Sequence, residues 1–233
     1  MTTHWSVVLT AGRSDEPSAQ EALAGLCQTY WYPLYAYVRG RGYSVHDAQD
    51  LTQGFFARLL ERKWVENADQ QKGRFRSFLL TSLNFFLADE WDKSRAQKRG
   101  GGVQMVPLQM DTAETRYGLE PADSVTPEQI YERRWALTLL EKVLGQLQKE
   151  YERDGRKELF AALNTCLVGE RASQPYDQLA QRLGMTESAV KSTVHRLRRR
   201  YRQLLRDEIT HTLVSPELVD EELRHLLTVL AGG

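Results

Sequence analysis

The segment from Tyr176 to Leu197 contains two runs of apolar residues at helical spacing, separated by Gly184. Glycine readily adopts the left-handed backbone of a tight turn, which costs other residues about 1 kcal/mol or more. Thr186 can then cap a second helix, because its hydroxyl can accept a hydrogen bond from a free backbone amide. The buried stripe of that helix is expected to be Val190, Val194, Leu197 and Tyr201. The segment therefore predicts a helix-turn-helix, with helices at 175–183 and 187–207.

The outward face of the second helix carries hydroxyls and cations. Its members are Ser188, Lys191, Ser192, His195, Arg196 and Arg199. Recognition helices use short hydroxyls near phosphates and long cations at base edges of the major groove. Arg199 and its neighbours Arg198, Arg200 and Arg202 are expected to touch phosphates or an acidic partner rather than bases, where they are not simply solvated. The alternative is a helical hairpin whose arginines only solvate its surface, but the arginine-rich run 196–202 favours DNA binding.

Most other periodic stretches also predict helices, so we expect an all-α fold. The predicted helices cover 18–41, 45–62, 73–98, 127–151, 156–167 and a short acidic stretch to about 230. Pro33 is expected to kink or divide the first of them. Between 100 and 126 the chain contains glycines and prolines and lacks a periodic apolar pattern, which predicts a flexible linker. The expected organisation is one helical domain at 1–99, the linker at 100–126, a second helical domain at 127–208 and an acidic C-terminal extension at 209–233.

The formal net charge of zero hides an uneven distribution of charge. Cations concentrate in 72–99 and in 182–206, whereas acids concentrate in 207–222, and such local patches steer charged partners. No apolar run is long enough to span a membrane and the start resembles no signal peptide, so a cytoplasmic location with no membrane partner is expected. No nucleophile–base pair, phosphate loop or metal cluster stands out, so we expect neither an enzyme nor a cofactor or metal.

The two helices before the linker each leave polar residues outside a predicted core stripe. In 45–62, Asp47, Asp50 and Gln53 form a face that suits a basic protein partner. From physical chemistry alone, favourable electrostatics at a helix start is the better explanation of the two acids. In 73–98, the core stripe is predicted to be Phe75, Phe78, Leu79, Leu83, Phe86 and Leu87. Trp91 then remains as a candidate for contact with nucleic acid, among cations that suit single-stranded DNA.

Three segments together resemble the extracytoplasmic-function (group IV) sigma factors of bacteria. Asp47-Ala-Gln-Asp-Leu-Thr-Gln-Gly-Phe-Phe is similar to the family's core-binding helix, and Phe75-Arg-Ser-Phe-Leu…Leu83-Asn84 to its strand-opening helix. Val190-Lys-Ser-Thr-Val-His-Arg-Leu is similar to its recognition helix. The resemblance covers about two-thirds of the chain, 22–101 as sigma domain 2 and 130–206 as sigma domain 4. One departure is Ala88, where the family usually has an aspartate; Asp89 comes one residue later.

The resemblance implies a non-enzymatic factor that binds RNA polymerase core and promoter DNA and directs promoter-specific initiation. The residues it assigns to polymerase core binding are Asp47, Asp50, Gln53 and Phe56. Those assigned to the minus-ten element are Asn84, Asp89, Trp91, Arg95 and Lys98, with a base captured through the loop before the third helix. Those assigned to the minus-thirty-five element are Ser188, Lys191, Ser192, His195, Arg196 and Arg199. The competing interpretation is a stand-alone helix-turn-helix regulator, which leaves 47–60 without a role.

Two hypotheses concern regulation. Thr52 lies within the core-binding motif, and phosphorylation by a Ser/Thr kinase would add about −1.5 to −2 charge to that acidic surface. An anti-sigma factor is the other candidate regulatory partner. Separately, the acidic C-terminal extension is expected to pack over a basic DNA-binding face, in which case deleting 211–233 should strengthen DNA binding.

Overall fold

The structure is a computed structural model, and it describes residues 17–60, 74–96, 125–167, 175–213 and 215–231. All regular elements in these ranges are helices, which confirms the all-α prediction. The α-helices are α1 (Pro17–Gly40), α2 (Val45–Leu60), α3 (Phe75–Ala96), α4 (Pro127–Arg153), α5 (Lys157–Leu163), α6 (Tyr176–Leu183), α7 (Glu187–Thr212) and α8 (Val219–Ala231). Short 3-10 turns, Asn164–Cys166 and Pro216–Leu218, follow α5 and precede α8. The predicted linker lies outside the described residues except for its last two.

The chain divides into two compact units. The first comprises Met1–Thr138 together with Thr210–Gly233, and the second comprises Leu139–Ile209. Helices α4 and α7 each contribute residues to both units. No helix in the described ranges is long and apolar enough to cross a bilayer.

In the first unit, α1 is an aromatic-rich helix that packs against α2. Its residues 30–38 are all buried. Of the two predicted effects of Pro33, a kink or a division, division does not occur, since α1 continues through it. A proline inside a helix costs about 3 kcal/mol, and burial of the large aromatic side chains on either side outweighs that cost. The helix ends at Gly40, and Gly42 follows with φ of 89°, a left-handed turn that glycine permits.

Local caps and packing define α2 and α3. The Ser44 hydroxyl accepts a hydrogen bond from the amide of Asp47 at 3.2 Å, and this cap starts α2 at Val45, the first residue of the predicted helix. Phe55 of α2 meets Phe86 of α3 edge to face, with ring centroids 5.9 Å apart. The predicted core stripe of α3 is buried except for Phe78, which is half-buried.

Helix α4 begins with a reciprocal capping box. The Thr126 hydroxyl accepts from the Gln129 amide at 3.2 Å, and the Gln129 side chain accepts from the Thr126 amide at 2.9 Å. In the second unit, residues from the rest of α4 pack with α5, α6 and α7. The fully buried side chains there include Leu139, Val143, Leu147, Leu163, Val190 and Leu197. Helix α7 extends five residues beyond its predicted end at 207.

The helix-turn-helix forms as the sequence predicts. Gly184 ends α6 with φ of 63° and ψ of 31°, and its amide and that of Met185 bond back to carbonyls of the helix. The Thr186 hydroxyl then accepts from the Ala189 amide at 3.2 Å, which caps α7. Val190, Val194 and Leu197 are buried beneath the turn and Tyr201 is half-buried, so the predicted inner stripe is confirmed.

Candidate nucleic-acid and polymerase interfaces

The exposed face of α7 presents every residue predicted to read the minus-thirty-five element. Ser188, Lys191, Ser192, His195, Arg196 and Arg199 are all exposed. Because Val190, Val194 and Leu197 are buried, this polar face lies on the outside of the unit. A hydrogen bond from the Arg196 guanidinium to the Thr193 hydroxyl at 3.2 Å orients one of the cations. The geometry leaves a helix N-terminus and its first three turns open to a ligand.

The α7 face is electropositive, with one built-in counterion near its start. Lys191 pairs with Glu187 one turn before it at 2.7 Å, and this hydrogen bond raises the pKa of Lys191. Farther along, a shallow cavity of about 440 Å³ is lined by His195, Arg199, Arg202, Gln203 and Arg206. Within the described parts of the chain, no group of His, Cys, Asp or Glu side chains could hold a metal ion. The cavity therefore suits an anion such as a phosphate rather than a cation.

Two arginines of the same run have structural partners instead. Arg198 donates to the carbonyl of Cys166 at 2.8 Å. Arg200 forms a two-pronged pair with Glu150 of α4, at 2.8 and 2.6 Å. The hydrogen bond from Arg200 lowers the pKa of Glu150. The prediction that this run touches phosphates or an acidic partner therefore applies best to Arg199 and Arg202, which lie on the outer face.

On α2, the residues assigned to polymerase binding divide by exposure. Asp47 and Asp50 are exposed, and a carboxylate oxygen of Asp47 accepts from the Ser44 hydroxyl at 2.7 Å. Gln53 is half-buried, and its Nε2 has no hydrogen-bond partner among the described residues. Phe56 is only 6% exposed, so its ring belongs to the core of the unit. The open surface of α2 is therefore acidic, whereas the unpaired amide donor of Gln53 is buried beneath it.

Thr52 lies on the opposite side of α2. Its side chain is fully buried, and its hydroxyl donates to the carbonyl of Ala48 at 2.7 Å. A kinase would reach this hydroxyl only if α2 separated from its neighbours.

On α3, the predicted minus-ten residue Asn84 is held by two side chains of the first unit. Its Oδ1 accepts from the Tyr37 hydroxyl and from the Arg41 guanidinium, each at 2.8 Å. Asp89 is exposed and pairs with Arg58 of α2 at 3.0 Å. Arg95 lies in the last turn of α3, where only the backbone is described, and Lys98 lies outside the described residues.

The exposed aromatic residues of α3 include one that the periodicity did not select. Trp91 is 54% exposed, as predicted, and Phe85 is 65% exposed. Neighbouring residues of a helix point about 100° apart, so Phe85 and Phe86 face different directions, and Phe86 is the buried one. The position of Phe85 beside a residue of the predicted stripe was the available signal. Trp91 follows Asn84 by about two helical turns, so it adds apolar surface to the same face of α3, whereas Phe85 lies about 100° around the helix.

The chain was compared with known proteins. No family model matches the chain, and no solved structure matches it. The ECF RNA polymerase sigma factor SigE of Mycolicibacterium smegmatis is 30% identical over 171 residues, which are 73% of this chain and 56% of that protein. The match thus spans a little over half the length of this curated relative. Together with the motifs on α2, α3 and α7, this similarity shows that the chain belongs to the extracytoplasmic-function family of RNA polymerase sigma factors.

Proposed function

We propose that the chain binds RNA polymerase core and directs it to particular promoters. The observation that carries the proposal is the occurrence of two polar surfaces of opposite charge on separate units. The acidic surface is on α2 of the first unit, and the hydroxyl- and cation-bearing surface is on α7 of the second. A regulator that only bound duplex DNA would need the second surface and would leave the first without a partner.

The minus-thirty-five element is the proposed ligand of α7. Ser188 and Ser192 are short donors near the start of the helix, which favours phosphate contacts at its positive end. Lys191, His195 and Arg196 are long enough to reach base edges. The pair between Lys191 and Glu187 is exposed and contributes little, so a base or phosphate can replace Glu187 at small cost. Each well-formed base contact is worth about 1–3 kcal/mol of discrimination.

The polymerase core is the proposed partner of α2. Asp47 and Asp50 supply negative charge on a rigid helix, which speeds and orients docking on a basic protein surface. The Nε2 of Gln53 is buried, so Gln53 stays in the proposal through the family resemblance. Phe56 would then act by supporting α2 from below, because its ring is buried.

The minus-ten strand is the proposed ligand of α3. Asn84 offers amide groups to a base, while Trp91 and Phe85 offer aromatic faces on which unstacked bases can stack. Arg95, Lys98 and Asp89 remain in the proposal through the family resemblance. Control by a kinase acting on Thr52, or by an anti-sigma factor, also stays a prediction, and the former requires local opening of α2.

A core-binding measurement with charge-reversed variants tests the proposal. The chain should associate with purified core polymerase at low salt, and Asp50→Lys should weaken that association. Glu158→Lys is the matched control, because Glu158 is an exposed acid of α5 in the other unit. Loss of promoter binding in Lys191→Ala, with Lys157→Ala as the control, tests the DNA surface in the same samples. A chain that binds duplex DNA but never core polymerase would be a stand-alone regulator.

A further inference from the structure

The start of α3 is held by acids from two other helices of the first unit. Arg76 is 2% exposed, and it donates from Nε to Glu132 of α4 at 2.7 Å and from Nη1 to Glu222 of α8. Arg74 donates to Glu221 of α8 at 2.5 Å, and its Nε lies 2.7 Å from the other carboxylate oxygen of Glu222. Two consecutive acids of α8 thus neutralise both arginines at the beginning of α3.

The same cluster connects α8 to the proposed minus-ten site. His225 of α8 lies 3.0 Å from the Glu132 carboxylate of α4. One turn earlier on α4, Glu128 lies 3.3 Å from the Tyr37 hydroxyl, which donates to Asn84 at 2.8 Å. Glu128 and Glu132 lie one turn apart on α4, so α8 and Tyr37 contact the same stretch of that helix.

In this arrangement the Oδ1 of Asn84 has no capacity left for a base. A carbonyl oxygen accepts two hydrogen bonds, and Tyr37 and Arg41 already supply two donors. A base can use this acceptor only after one of the two donors moves away. The arrangement in which Tyr37 and Arg41 both donate to Asn84 is thus incompatible with full use of Asn84 in promoter recognition.

The docking of α8 is suited to reversal. Glu222 is 1% exposed, and burial raises its pKa although Arg76 and Arg74 oppose the shift. Buried ion clusters contribute little net stability because desolvation offsets their attraction. The apolar anchor is small, with Val219 and Leu226 as the buried hydrophobic residues of α8. A helix of 13 residues is marginal by itself, so α8 depends on these contacts to remain helical.

We propose that α8 is an intramolecular latch: Glu221 and Glu222 occupy the arginines at the start of α3 in place of DNA phosphates, and α8 must leave before the minus-ten strand binds. Arginine accepts carboxylates and phosphates with the same forked geometry, so an acidic helix and a DNA backbone compete for the same cations. Arg74 directly follows the segment that the family resemblance assigns to base capture, which places the latch beside that loop in the sequence. The proposal rests on the promoter function proposed above.

The test uses the full chain and two lysine variants with the same charge change. Glu222→Lys puts a cation against Arg74 and Arg76 and should release α8. Glu217→Lys is the control, because Glu217 is exposed in the turn before α8 and lies outside the arginine cluster. Hydrogen exchange should show lost protection in 219–231 for Glu222→Lys alone, with protection of α3 retained. Promoter affinity of the polymerase complex should rise about 5- to 150-fold, the usual range of coupling between two states.

A chain truncated after Leu213 provides a second variant, and it should match Glu222→Lys in promoter affinity. Equal promoter affinity of wild type, Glu222→Lys and the truncated chain, with core binding intact, would overturn the latch alone. Loss of protection throughout α3 in both variants would also overturn it, because α8 would then be part of the domain core. Failure of every form to bind core polymerase would instead overturn the promoter function.

Discussion

Gly184 and Gly145 offer a matched test of the helix-turn-helix geometry. Both lie in the unit Leu139–Ile209, and at both positions an added Cβ would meet nothing within 4 Å. Steric clash is therefore excluded at each site, and only the backbone differs. Gly184 has φ of 63°, whereas Gly145 lies within α4.

The two alanine substitutions are expected to have opposite signs. Gly184→Ala should destabilise the unit by about 1–2 kcal/mol, because a Cβ disfavours the left-handed backbone. Gly145→Ala should stabilise it by about 0.8–1 kcal/mol, because alanine is the better helix former. Gly184→Asn should destabilise the unit less than Gly184→Ala does, since asparagine tolerates the left-handed backbone conformation better.

These changes can be measured by hydrogen exchange at increasing urea concentration. Peptides from 176–201 report the unfolding of this second unit separately from that of the first unit. With a urea dependence of about 1–3 kcal/mol per M, each change shifts the midpoint by several tenths of a molar or more. A neutral Gly184→Ala would refute the left-handed turn at the end of α6. A destabilising Gly145→Ala would refute a regular helix through the middle of α4.

Three further predictions concern binding and acid stability. Arg196→Ala should weaken specific promoter binding by about 1–3 kcal/mol and relax the preference at one base pair, as measured by titration of mutated duplexes; a uniform loss across sequences would indicate a phosphate contact instead. Arg200 lowers the pKa of Glu150 from its ordinary 4.5, so the stability from this pair is present above pH 4.5 and lost as pH falls through the lower folded value. Glu150→Gln should therefore lower the free energy of unfolding by up to about 1 kcal/mol at pH 7, and this difference from wild type should disappear at acidic pH. Urea titrations that show the same difference at every pH would contradict this prediction. Phe85→Ala should change stability by less than about 0.5 kcal/mol yet weaken binding of a single-stranded minus-ten oligonucleotide, whereas Phe86→Ala should cost about 3–5 kcal/mol of stability. Equal effects of the two substitutions on unfolding would contradict the exposure of Phe85.

Local signals predicted the helices well because their causes are local. The caps at Ser44 and Thr126 and the turn at Gly184 depend on residues within a few positions of one another. Local propensity did not decide whether Pro33 divides α1, because the stabilisation that keeps this helix continuous comes from tertiary burial. The extension of α7 to Thr212 has a similar origin, since Ile209 and Thr212 are buried.

Exposure at the candidate sites was predicted only in part. The outward face of α7 followed from a clear stripe of branched residues. On α2 the stripe is less regular, and periodicity did not reveal that Phe56 and Thr52 are buried. The contacts of α8 illustrate the other limit. Uneven charge predicted that the acidic extension would meet a basic surface, but Arg76 and Glu222 are 146 positions apart, and only the folded chain identifies them as partners.

Initiation in vitro tests the central claim most directly. Purified core polymerase, the purified chain and a library of promoter fragments should yield transcripts whose start sites depend on the added chain. The yield of these transcripts should fall with Asp50→Lys and with Lys191→Ala, since each alters one of the two surfaces. If core polymerase supplemented with the chain produces no more specific transcripts than core alone, while the chain still binds duplex DNA, the account of a polymerase-directing factor is contradicted.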